Sequence, residues 1–294
     1  MVSQWDGKSK GTLLGYKIFV NCIKTFGIRA SYLVLIFVSF YYFLFSPKSN
    51  RSLFYYLHKR LQFSWMRSFF GLYRSYFTFG KTLIDKVAIT SGLRNRYSYE
   101  FDGIDILKQL LAEKKGGILI SAHVGNFEVA EHFFEDINLE CQINLVTADL
   151  EETAISEYLK QVSQQSNVKF IKIKDDMSHI FEISNALSNN ELICFTGDRY
   201  FEENKLLSGQ LLGEDALFPA GPFMIASRLG VPVVFVYVMK EPRLHYHLYA
   251  RRAEVKHRDA QSLLNSYCQS LEKVVKRYPY QWYNFFDFWK KLNA

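Results

Sequence analysis

GGILISAHVGNFEVAEHFF, residues 116–134, changes periodicity within a few positions. Its first half is an unbroken apolar run rich in isoleucine, the pattern of a strand buried on both faces. Gly125 and Asn126 then mark a turn, after which apolar residues return at helical spacing. Four further apolar runs have the same character: QINLVTA (142–148), VKFIKI (168–173), LICFTG (192–197) and VPVVFVYV (231–238). Between and around them lie segments of helical period, DILKQLLAEKK (105–115), NFEVAEHFFED (126–136), EETAISEYLKQVSQQ (151–165), MSHIFEISNALSN (177–189) and PFMIASRLG (222–230). Such alternation predicts an α/β fold, a mostly parallel central sheet covered by helices.

Ahead of this region the chain reads differently. From Leu13 to about Ile89 apolar residues recur every three or four positions with basic residues between them, which predicts helix. Within it SYLVLIFVSFYYFLF (31–45) carries no charge, follows Lys17, Lys24 and Arg29, and is stopped by Pro47. A full membrane span takes roughly 20 apolar residues, so this block is expected to act as a retained hydrophobic anchor, with a buried core helix as the alternative. The aromatic, cationic stretch after it has the composition of a helix lying in a membrane interface, with an ordinary amphipathic helix packed on the domain as the alternative. Residues 1–95 are therefore expected to form an N-terminal helical membrane-associated region and 96–294 the α/β region.

Composition narrows the partners. The chain has 49% hydrophobic and 17% aromatic residues, and its net charge of +7 favours an anionic partner such as a phospholipid headgroup, a phosphorylated substrate or a nucleic acid. Cys22, Cys141, Cys194 and Cys268 form no C-x-x-C pair, which points to a reducing compartment and to no zinc centre. His245 and His247 share one face of a strand without a third ligand, and His132 reads as a surface residue, so no metal site is expected. Gly80–Thr82 lacks the first glycine of a phosphate loop, and no G-x-S-x-G elbow exists.

The candidate chemistry lies at the strand end in 116–134, since ligands in open α/β sheets bind beyond the carboxyl ends of strands. His123 follows the strand, Asn126 is placed to cap the helix, and free N–H groups near Gly125 and Asn126 are expected to face an anion or a developing oxyanion. Glu128, five positions after His123, is expected to fold back and hold the imidazole as a general base. A second strand end carries Asp198 and Arg199, read either as a grip on substrate phosphate or as an internal ion pair.

HVGNFE (123–128) resembles the His-x-x-x-x-Asp/Glu block of the glycerolipid and lysophospholipid acyltransferase superfamily, and is most similar to the form found in bacterial lipid A biosynthesis acyltransferases. TGDRY (196–200), ALFPAGPFMIASRLGVPVVFVYV (216–238) and YPYQWYNFFDFWKK (278–291) resemble further segments of that family in the same order, so the likeness spans roughly residues 10 to 292. The resemblance implies a membrane-bound enzyme of the bacterial inner membrane, its catalytic region on the cytoplasmic side. It would move a fatty acyl group from acyl carrier protein or coenzyme A to a lipid acceptor, a lipid A precursor, with His123 and Glu128 catalytic and Gly125, Asn126, Asp198 and Arg199 binding substrate. No cofactor and no nucleic acid are implied. One departure stands out: an arginine frequent in the family between the His and Asp blocks is absent here, where only Lys169, Lys172 and Lys174 occur. Acylation of another lipid, such as a lysophospholipid, aminolipid or pigment, is the alternative acceptor reading. A non-catalytic membrane-surface or nucleic-acid-binding protein is the alternative from another class.

Overall fold

A computed structural model describes residues 13–134, 141–147, 168–174, 176–200 and 205–289. The N-terminal region is helical as its periodicity predicts: α1 (Leu13–Phe45), kinked at Gly27 where φ is +82°, α2 (Pro47–Tyr55) and α3 (Trp65–Ala88). Pro47 opens α2 at a position where its missing N–H costs nothing, and Ser64 caps α3 by accepting from Arg67 N.

The described residues then form a seven-stranded sheet in the order β1-β9-β8-β2-β5-β3-β4. Its strands are β1 (Ser98–Asp102), β2 (Gly117–Ser121), β3 (Ile143–Thr147), β4 (Val168–Lys172), β5 (Leu192–Thr196), β8 (Val233–Glu241) and β9 (His245–Arg252). β8, β2, β5, β3 and β4 run parallel, and β9 is antiparallel to β8 with β1 following it. All five apolar runs read from the sequence are strands of the parallel block. β6 (Leu206–Leu211) and β7 (Glu214–Pro219) form a separate hairpin whose turn is made by Leu212 and Gly213, both at positive φ.

Side chains alternate across β2 and its neighbours, so each apolar run feeds two cores. Ile118, Ile120, Ile193 and Phe195 point into one. Leu119, Leu192, Cys194 and Val234 point into the other. Each such side chain taken from water contributes roughly 1.5–3 kcal/mol, and a strand needing two covers explains why these runs show no polar alternation. Helices α4 (Ile104–Ala112), α5 (Glu131–Phe134), α6 (Ser178–Ser188), α7 (Ala220–Arg228) and α8 (Ala260–Arg277) complete the set. α8 is capped by Asp259, which accepts from Ser262 N, and buries Leu264, Tyr267, Cys268, Leu271 and Val275 at helical spacing. The helix expected over 126–136 is broken into a short 3-10 turn (Phe127–Val129) and the four-residue α5, and residues 135–136 lie outside the described residues. The helix expected over 151–165 also lies outside them.

Candidate active site

β2 and β5 are parallel neighbours in the middle of the sheet, with Ser121 opposite Thr196. Two residues further along each strand the chain reaches His123 and Asp198, so the register itself brings them together. His123 Nδ1 lies 2.7 Å from Asp198 Oδ1, and the His123 amide donates to both carboxylate oxygens at 3.0 Å. Asp198 is fully buried, whereas the His123 side chain is 30% exposed and can be reached from outside.

The electrostatics follow from that arrangement. Burial works against the ionised form of Asp198, but the His123 imidazole, the Arg199 charge and the His123 amide outweigh it and hold the carboxyl at about 2. His123 is lowered from its ordinary value by burial first and then by Arg199, with Asp198 opposing. At neutral pH the pair is thus a neutral imidazole against a carboxylate. A carboxylate only accepts, so Nδ1 holds the proton and Nε2 is left with its lone pair.

A third chain segment closes around the pair. Between α8 and residue 289 the chain runs without regular structure and meets the strand end through an antiparallel bridge of Val124 with Trp282. Tyr283 N donates to His123 O, and Gly125 N donates to Gln281 O, both at 2.9 Å. Trp282 Nε1 and Asn284 Nδ2 donate to Asp198 Oδ2 at 3.2 and 3.3 Å. Arg199 reaches the same segment, donating from Nε to Asn284 Oδ1 and from Nη2 to Tyr283 O. Its pKa is lowered to about 10 by burial, with Asp198 opposing.

Several sequence expectations are revised by this geometry. The amides of Gly125 and Asn126 are not free for an oxyanion, because they donate to Gln281 O and to Val238 O at 2.9 and 2.7 Å. Gly125 is required for a different reason: its φ is +60°, and a Cβ there would stand 2.0 Å from Val238 O. Asn126 sits at the cap position of the 3-10 turn, but its side chain donates to Thr82 O and Tyr246 OH rather than capping. Nδ1 of His123 is occupied by Asp198 and so is not available to Glu128, whose backbone lies in the same turn and whose side chain lies outside the described residues.

Trp282, Asn284 and Gln281 escaped the site reading, and so did Asp85. Asp85 is buried on α3, accepts from Tyr32, Tyr97 and Tyr246, and pairs with Lys240 at 2.6 Å. Tyr246 links this cluster to Asn126. Buried charge of this kind is stable only when its lone pairs are filled, and here they are. Lys174 sits past the far edge strand and pairs with Glu182, while His245 and His247 meet Ser98 and Glu100. Among the described residues no three His, Cys, Asp or Glu side chains are grouped to hold a metal ion.

Comparison with individually curated proteins returns no significant match. The sequence model of the family described as bacterial lipid A biosynthesis acyltransferase matches residues 75–291. That match covers most of the chain and contains both strand ends and the segment that closes over them, so the protein belongs to the bacterial lipid A biosynthesis acyltransferase family and is an acyltransferase.

Proposed function

We propose that this chain transfers a fatty acyl group from a thioester donor to a hydroxyl or amine of a lipid A precursor, with His123 as general base and Asp198 as the group that orients it. The observation supporting this most is the His123–Asp198 hydrogen bond at adjacent strand ends. His123 Nε2 takes the proton of the acceptor as its oxygen or nitrogen attacks the thioester carbonyl. The tetrahedral intermediate then expels the thiolate, which receives the proton back from the imidazolium and leaves as the free thiol. Asp198 fixes the tautomer and stabilises the imidazolium that forms between the two steps, and no acyl-enzyme is required. Glu128, in the turn that follows the same strand, remains a second candidate carboxylate. Gly125 and Asn126 shape the turn beside substrate, and we assign Arg199 to holding the closing segment rather than to gripping phosphate.

The donor is acyl carrier protein or acyl-coenzyme A, both acidic and suited to a chain of net charge +7. Because such donors are cytoplasmic, the site belongs on the cytoplasmic side of the bacterial inner membrane. The test is to incubate the purified protein with each thioester and a lipid A precursor, and to follow the acceptor mass. One added acyl chain in the wild type and none without donor is the expected result. Lipid profiles of a deletion strain that lack no acyl chain would contradict the acceptor assignment.

A further inference from the structure

We infer that α1 does not cross the membrane but lies along it together with α3, the two helices forming one lipid-docking face on an anionic bilayer surface. This deepens the membrane reading above, and its test needs no acyl transfer.

By length and composition Val20–Phe45 is apolar enough to span, yet its surroundings do not permit it. α3 runs antiparallel alongside. Tyr32 on α1 donates to Asp85 on α3, Tyr73 OH donates to Ile36 O, and the rings of Phe43 and Phe69 meet at 5.3 Å. Leu35 packs so close to Gly80 that a Cβ there would stand 2.2 Å from its Cδ1. Val20, Ile23, Ile28 and Leu35 belong to the same buried core as Ile84 and Val87. A spanning α1 would therefore carry its neighbour into the hydrocarbon, and α3 holds Arg67, Arg74, Lys81 and Asp85. Arg, Lys and Asp at the middle of a bilayer cost roughly 2.5–3.5 kcal/mol each even on the most permissive scale.

The faces turned away from the protein are apolar instead. On α1, Phe37, Phe40 and Leu44 are exposed, with Phe37 at 77%; at the start of α3, Trp65, Met66 and Phe70 are exposed. Phe43 and Phe69 join the two sets, since Phe43 packs on Phe40 and Phe69 stacks on Trp65. A continuous apolar surface of this kind is an interaction site. Its charge identifies the occupant. Between residues 13 and 84 there are ten lysines and arginines and no aspartate or glutamate. Lys24, Arg29, Lys48, Arg51, Lys59 and Arg67, all from this N-terminal helical stretch, are exposed. An apolar face on a stretch that carries cations and no carboxylate of its own from residue 13 to 84 fits the acyl boundary and headgroups of an anionic membrane.

The experiment places charge on the α3 half only. Full-length protein and the double variant Met66→Glu, Phe70→Glu are mixed with phosphatidylethanolamine–phosphatidylglycerol vesicles, and bound protein is separated by flotation. The variant, with α1 untouched and its circular dichroism and melting unchanged, is expected to bind at least tenfold more weakly. Equal binding would mean that α1 alone inserts, and would overturn the proposal. As a second measurement free of folding risk, brominated lipid in the vesicles should quench wild-type tryptophan fluorescence more than that of Trp65→Phe. Identical quenching overturns it too, as does self-association of the chain without vesicle binding, which would assign the face to a second copy.

Discussion

His123 Nδ1 and Asp198 Oδ1 stand 2.7 Å apart because β2 and β5 are neighbours in register, each residue lying two positions beyond a paired strand end. The carboxylate is buried and the imidazole partly exposed, so the first can act only through the second.

Asp198→Asn keeps the volume and removes the charge. Asp198 raises the His123 pKa against burial, so the variant should move the acid limb of the rate profile to lower pH and reduce kcat by about 100-fold or more. Glu128→Gln measured in parallel should shift that limb less. A larger shift in the Glu128 variant would make Glu128 the electrostatic partner.

Stability should respond as well. A carboxyl held at about 2 in the fold and near 3.9 when unfolded contributes stability that is present above the unfolded value and lost as pH falls toward 2. The size is on the order of 2 kcal/mol. Denaturant midpoints of wild type and Asp198→Asn taken from pH 5 to pH 2 should therefore converge, the wild type losing more. Parallel curves would remove Asp198 from this linkage.

Trp282→Phe deletes one donor to Asp198 Oδ2 while leaving a ring against Tyr56, Phe288 and Trp289. With one donor fewer, Asp198 holds the imidazolium more strongly, so the acid limb should move to higher pH, opposite to Asp198→Asn. A purely structural Trp282 would lower Tm and leave the profile where it was.

The sequence made the first half of this geometry legible and hid the second. His123 and Asp198 each follow an apolar run that ends in small or polar residues, so both could be placed at strand ends. Their contact depends on strand order, with β5 beside β2 rather than β3, and order leaves no trace in local periodicity. Trp282 and Asn284 lie in an irregular stretch, where neither a period of 2 nor of 3.6 marks a side chain as inward. Gly125 and Asn126 were visible as a turn. Their amides looked free only because Gln281 and Val238, distant in sequence, supply the carbonyls. Asp85 left no comparable signal, since its partners Tyr32, Tyr97, Lys240 and Tyr246 come from other parts of the chain.

Arg199→Lys separates scaffold from substrate grip. Lysine cannot donate along both directions that reach Tyr283 O and Asn284 Oδ1. Stability should drop by about 1–3 kcal/mol, while KM for donor and acceptor in the folded enzyme stays within about twofold. A tenfold rise in KM, about 1.4 kcal/mol, with unchanged Tm would return Arg199 to the substrate.

The central claim is that the exposed nitrogen of His123 takes the acceptor proton. His123→Gln retains a polar side chain of comparable length without a titratable nitrogen. Initial rates of acyl transfer for this variant and the wild type, on protein matched for melting temperature and vesicle binding, should differ by roughly 100-fold or more, in the range of general-base catalysis. A His123→Gln rate within about twofold of wild type would contradict the account.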